Sequence, residues 1–385
     1  MDTFSEKPRL RSLLTHCSAV TDVREQWRVA YPLREVLLLV VCGTIASCDD
    51  YDDIVEWGEA HLGFLQRFLP YHHGIPCPDW LRTLMNRIDP GLFSACFVSW
   101  AREWRPDAPQ FIAIDGKTSR RSHDRATGKA ALHLVSAFAT NERLVLGQEA
   151  VADHGCEQDA IPALLERLAA AGALGSAIVT IDAIACNPSI AADITDAGAD
   201  YVLAVKDNQP SLRAEIESYF TSTPADEVDS FLDHDKGHGR VETRRCLVSH
   251  NISWMISNRR FPGEYRFPKL AAIAMIEASV EKRDERTCER RFYIASAPLS
   301  AERFALAVRG HWAIENSLHW VLDVVFKEDL SRLRKGHGAE NMAIVRHFAI
   351  NLVRTAKDRK SIKTRRKAAG WKPEYLHQLL VGSPC

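Results

Sequence analysis

The chain has no Cys-x-x-Cys pair, no Cys/His spacing of a zinc module, and no apolar run long enough to cross a bilayer. Its ten cysteines therefore read as reduced, mostly buried thiols of a cytoplasmic protein, not as a disulfide framework. His234 and His238 have helical ligand spacing, but Gly237 and Gly239 make that stretch a loop, which argues against a metal pair. The longest apolar stretch, residues 36–46, falls short of the roughly 20 residues a span requires and reads as a core helix, with no membrane partner. A secretory leader is missing too, because the opening Met1-Asp-Thr-Phe-Ser-Glu6 is polar. No repeat, low-complexity tract or helix-turn-helix stands out.

Net charge is nearly absent as well, at −1 over 385 residues, yet it is unevenly spread. From residue 301 onward there are 16 Lys/Arg against 8 Asp/Glu, which leaves −9 for the rest. Residues 354–372 alone hold nine basic side chains and one acidic, enough to neutralise several phosphates. That asymmetry points to an anionic partner; a solvated basic face is the plainer alternative. Hydrophobic content of 46% with 26% charged residues is that of a globular protein, and the length suits two or three domains.

Apolar residues recur at helical spacing up to about residue 105, with Pro32 at the head of one helix and Asp79 in the N-cap position of another. The period then falls to two. Strands are expected over 111–115, 132–139 and 144–147, the last two joined as a hairpin across Asn141-Glu142. Helix 160–171, strand 177–182, helix 189–197 and strand 201–206 come next. Three strands and then alternating helix and strand describe an α/β, RNase H-like mixed sheet with helices on both faces. The expected organisation is a helical region over 1–105, a first core part over 106–223, a β-rich insertion over 224–300, a core helix over 301–330, and a basic helical region over 331–385.

Three carboxylates sit in places where they need compensation. Asp115 and Asp182 end β-branched runs, and Glu315 shares a helix face with His311, Trp312, Leu318, His319 and Leu322. Singly, each aspartate could be a local cap, of the Gly116-Lys117 turn or of the following helix. Together the three can converge at the end of the sheet, where α/β folds place their sites. An all-carboxylate set favours Mg²⁺, with Mn²⁺ as a substitute, over zinc. Two such ions about 3.5–4 Å apart, with Asp115 bridging, would suit in-line displacement at phosphorus.

Ile114-Asp-Gly-Lys-Thr118, Thr180-Ile-Asp182, Tyr201-Val-Leu-Ala-Val-Lys-Asp-Asn-Gln209, His238-Gly-Arg-Val-Glu-Thr-Arg244 and His311-Trp-Ala-Ile-Glu-Asn-Ser-Leu-His-Trp-Val-Leu-Asp323 occur in this order. The set resembles the bacterial insertion-sequence DDE transposases of the ISAs type, which include the H-repeat-associated proteins. That resemblance implies a retroviral-integrase-like core cutting and joining DNA ends with Mg²⁺, and Asp115, Asp182 and Glu315 as its acids. Its partners would be double-stranded DNA (terminal inverted repeats and target), with a homodimer during synapsis and a nucleoid-associated, cytoplasmic location. Lys206, Asn208, Gln209 and Arg240 would be DNA or structural contacts. Lys117, Arg120 and Arg121 after the first aspartate, and Arg365, Arg366 and Lys367 in the tail, would hold phosphates. Three departures stand out: Ala183-Ile-Ala-Cys-Asn187 after the second aspartate, His154-Gly-Cys-Glu157, and His311 and Leu322 at the Arg and Lys spacings of larger relatives. A silent DNA-binding remnant and an RNase H-like nuclease are the alternatives.

Overall fold

The computed structural model describes residues 8–25, 27, 29–103, 110–152, 155–224, 226–237, 240–256, 266–282 and 285–382. The helical periodicity before residue 104 folds as α1 (Pro8–Cys17), α2 (Leu33–Ile45), α3 (Tyr51–Ala60), α4 (Leu62–Leu65), α5 (Pro78–Met85) and α6 (Pro90–Glu103). α2 is buried along almost its whole length, as a helix apolar on every side must be. Pro78 takes the first helical position of α5, so Cys77 is the N-cap. Asp79, expected as the cap, instead lies in the first turn, where its charge faces the positive helix end.

β1 (Phe111–Thr118), β2 (His133–Ala139) and β3 (Leu144–Ala150) form an antiparallel meander. Through α7 (Glu157–Ala170) and α8 (Pro188–Asp196), β4 (Ile178–Ile181) and β5 (Asp200–Val205) join β1 in parallel. The order 3-2-1-4-5, with β2 running against the others' common direction, is the RNase H-like arrangement read from the sequence. α9 (Pro210–Ser222) leads to β6 (Asp229–Gly237), β7 (Arg240–Ser249), β8 (Ala272–Lys282) and β9 (Glu285–Ala295). These four strands are continuous with the core, because β9 pairs antiparallel with β5, Ala295 opposite Val202, and the sheet reaches nine strands.

α10 (Ala301–His311) starts at Ser300, whose hydroxyl accepts from the Arg303 N–H at 3.4 Å. The helix expected to run unbroken to Phe326 is interrupted, because residues Glu315–His319 wind as a π-helix before α11 (Trp320–Val324). α12 (Gly338–Arg354), α13 (Ile362–Trp371) and α14 (Pro373–Val381) complete the described chain.

Strand alternation divides the packing into two layers. Ile112, Ile114, Val179, Ile181, Leu203 and Val205 face the larger core. Phe111, Ile178, Val202 and Ala204 face Phe304, Ala307 and Val308 of α10. Among the buried polar side chains of α12, Asn351 accepts from the Val145 N–H at 2.9 Å and donates to the Val145 carbonyl at 2.8 Å, covering the edge strand β3. Asn341 donates to the Met85 and Ile88 carbonyls at the end of α5.

Arg366 joins three helices. Only 3% exposed, it donates to the Thr44 carbonyl in the last turn of α2 at 2.8 Å and to the Val325 carbonyl just past α11. A guanidinium at two helix C-termini satisfies orphan carbonyls and complements both dipoles. Its place inside corrects the expectation of a phosphate contact. Arg366→Ala should lower unfolding stability by about 3 kcal/mol, since bonds to a charged donor are lost. The salt dependence of DNA binding should stay unchanged. Denaturant melts with a binding series in salt check this; unaltered stability with a shallower salt slope would return Arg366 to the DNA surface.

Candidate active site

In the parallel ladder of β1 and β4, Ile114 stands opposite Ile181. One residue further on, Asp115 and Asp182 therefore lie side by side on adjacent strands, on the face covered by α10. Ile181 in turn pairs with Leu203, so Lys206, just past β5, shares that face. Its ammonium bonds both oxygens of Asp182, at 2.9 and 3.1 Å. From α10, His311 places Nδ1 3.1 Å from the Thr180 hydroxyl.

The third acid arrives on the π-helical segment. This wider winding, frequent at functional sites, holds Glu315 exposed and His319 buried, with His319 Nδ1 3.5 Å from a Glu315 oxygen. The same Nδ1 is 3.6 Å from Asp115 Oδ2. Among the described residues Asp115, Glu315 and His319 offer ligand atoms within 4.8 Å of one another, a span suited to one cation. Asp182 stands outside that group, tied to Lys206. Sequence reasoning placed His319 on the correct helix face but left imidazole out of the donor set; its position four residues after Glu315 was the available signal.

Charge inside the cluster is unbalanced. Burial, and next the Glu315 carboxylate, push Asp115 up to about 7. Asp182 goes the other way: burial works to raise it, but Lys206 and the Ala183 N–H outweigh burial and hold it below its usual range. Burial keeps both His311 and His319 below the ordinary imidazole value, against the pull of the neighbouring carboxylates.

Surrounding groups hold this arrangement. Lys117, expected at DNA, is instead nearly buried and ion-paired to Asp323 at 2.7 Å, Glu328 at 3.0 Å and Asp329 at 3.5 Å. Glu328 also meets Arg346 of α12 at 3.4 Å, so β1, the stretch after α11 and α12 are drawn together by buried charge. Asn208 and Gln209 reach the carbonyls of Ala183 and Cys186 and brace the turn after Asp182. Gln209 also accepts from Arg266. Gly116 leaves room for Glu157 and His133, whose Oε1 and Nε2 crowd the space a Cβ there would take. Those two side chains pair at 2.9 Å, and Glu157 adds to the repulsion on Asp115.

The remaining expected phosphate contacts separate by exposure. Arg120 is 82% exposed with a 3.3 Å pair to Asp329, and Arg121 and Lys367 are exposed. Arg365 is half-buried and bonds Asp358 and the Val353 carbonyl. Arg240 opens β7 opposite Gly237, and its side chain lies outside the described part of the structure, as do His154 and His238.

Residues 14–101 match the family described as DDE_Tnp_1-associated, and residues 106–352 match the Transposase DDE domain. The "H repeat-associated putative transposase YhhI" of Escherichia coli K12 is 37% identical over 380 residues, 97% of this chain and 99% of that one. The "Putative transposase YncI" of Escherichia coli O157:H7 is 36% identical over 379 residues, 97% and 95% of the two chains. The piggyBac transposase synaptic complex with hairpin DNA aligns at a TM-score of 0.42 and 11% identity, over all of this chain and 80% of that one, too slight a likeness to add to the topology. Both domain matches lie in chain order and the second encloses all three acids, so the chain belongs to the DDE transposases of bacterial insertion sequences.

Proposed function

We propose that the protein cuts the DNA ends of its insertion sequence and joins them to target DNA by in-line attack at phosphorus, with Asp115, Asp182 and Glu315 as its essential acids. The observation that carries this reading is the register that sets Asp115 beside Asp182 on the face where α10 leads into the Glu315 segment. Divalent cations held by these acids, Mg²⁺ with Mn²⁺ as a substitute and two in number, would activate the attacking water or 3′-hydroxyl by favouring loss of its proton and would stabilise the leaving oxygen. The chain's own contribution is placement. Lys117, Glu328 and Arg346 dock the glutamate segment on β1, while Asn208 and Gln209 hold the turn that carries Asp182. Arg120, Arg121 and Lys367 are exposed cations for the phosphates of the terminal repeats and target, and synapsis of two ends calls for a homodimer.

Labelled element ends, purified protein and Mg²⁺ provide the test. Joined products are expected; binding without cleavage would make the chain a silent remnant, and hydrolysis alone a nuclease. Glu315→Gln should abolish cleavage while DNA affinity stays within about twofold, since an exposed acid that serves chemistry adds little to phosphate binding. Retained turnover would remove Glu315 from the site.

Asp115 gives a second test through pH. Its folded value near 7 exceeds the ordinary 3.8, so the unfolded chain gives up this proton first, and stability is lost progressively as pH climbs from about 4 through 7. In chelator, Asp115→Asn should therefore raise Tm most at pH 8, by a few degrees at most, and less at pH 5, while cleavage is lost. A variant melting below the native protein at pH 8 would contradict this electrostatic account.

A further inference from the structure

We propose that the first cation enters on Asp115, Glu315 and His319, and that Asp182 joins the site only when Lys206 leaves it. This rests on the proposed metal-dependent reading and goes beyond it, because it adds an imidazole ligand and an order of loading. Two independent observations support it. The first is His319 itself, 6% exposed, whose Nδ1 faces both acids while its Nε2 finds no hydrogen-bond partner among the described residues. At 3.6 Å from Asp115 and 3.5 Å from Glu315, Nδ1 is farther from either oxygen than a direct hydrogen bond would bring it. Ligand atoms around one small cation, each about 2.1 Å from it, take such separations.

The second observation is the state of Asp182. Lys206 Nζ already contacts both of its oxygens, so a cation of the chain's own is seated on the second aspartate. Both partners are about half exposed, at 54% and 45%, and this pair is held by far less than the buried Lys117 network. Lys206 is therefore free to move from Asp182 to a phosphate when DNA enters, which would open the aspartate to a second ion. DNA binding and completion of the metal site would become one event. A nitrogen among the donors also changes which ion is preferred, because imidazole suits transition metals and adds little for Mg²⁺.

The test uses the full chain without DNA, titrated with Mn²⁺ in a calorimeter and by electron paramagnetic resonance. One equivalent is expected for the native protein, and electron spin-echo modulation should show ¹⁴N coupling from a bound imidazole. His319→Gln should remove that coupling and weaken the site at least about tenfold, given that even outer-sphere partners of metal ligands cost that much. It should also narrow the preference for Mn²⁺ over Mg²⁺. Asp182→Asn should leave the first equivalent within about twofold, and Lys206→Gln should reveal a second. The native spectrum needs no variant, so poor folding of His319→Gln would leave the assignment testable. Absence of ¹⁴N coupling, equal losses in Asp182→Asn and His319→Gln, or two equivalents in the native protein would overturn the proposal. No Mn²⁺ uptake at all would also sink the metal-dependent reading beneath it, whereas one-ion uptake in a protein that cannot cleave would leave this inference standing alone.

Discussion

Parallel pairing of β1 with β4 is the constraint on which the site depends. Ile114 opposite Ile181 brings Asp115 and Asp182 to the same height and the same face. A slip of one residue would send one of them to the opposite side of the sheet, into the larger apolar core. That register seats Ile112, Ile114, Val179 and Ile181 in the larger core and Phe111 and Ile178 against α10. Ordinary hydrophobic burial thus sets the geometry of two charged groups.

Glu315 depends on a different kind of force. Its π-helical segment lies beyond the sheet and is docked through buried charge, with Lys117 on one side and Arg346 on the other of Glu328. Burial opposes ionisation of Glu328, yet Arg346 and Lys117 outweigh it and keep the carboxylate charged. Such a group gives specificity of placement more than net stability, because replacing either partner leaves an uncompensated charge inside. The acid triad is therefore assembled by two mechanisms, apolar register for the aspartates and an ionic clamp for the glutamate.

Much of this was legible in the residues. The change of period near residue 110 showed the succession of strands and helices that builds the core, and the setting of three carboxylates singled out Asp115, Asp182 and Glu315 as candidates. What escaped the sequence was partnership between distant side chains. Lys117 and Arg366 look like any other basic residue in a linear reading, and only packing shows that one meets Glu328 and the other the carbonyl of Thr44. The β-rich insertion expected over 224–300 holds four strands, and what no linear reading shows is that hydrogen bonding to β5 makes them continuous with the core sheet. The π-helix was equally hidden, since a 3.6-residue period placed Glu315 and His319 on one face without revealing the local widening.

Arg366 has a consequence for how the protein is made. Its carbonyl partner Thr44 lies 322 residues earlier in the chain, and α12, which packs against α2, is almost as far from it in sequence. On the ribosome the face of α2 that packs on α12 must wait until α12 emerges. Until then that apolar surface is open to aggregation and proteolysis. The same delay applies to Arg366, so the C-terminal carbonyls of α2 and α11 stay uncapped until α13 has been made.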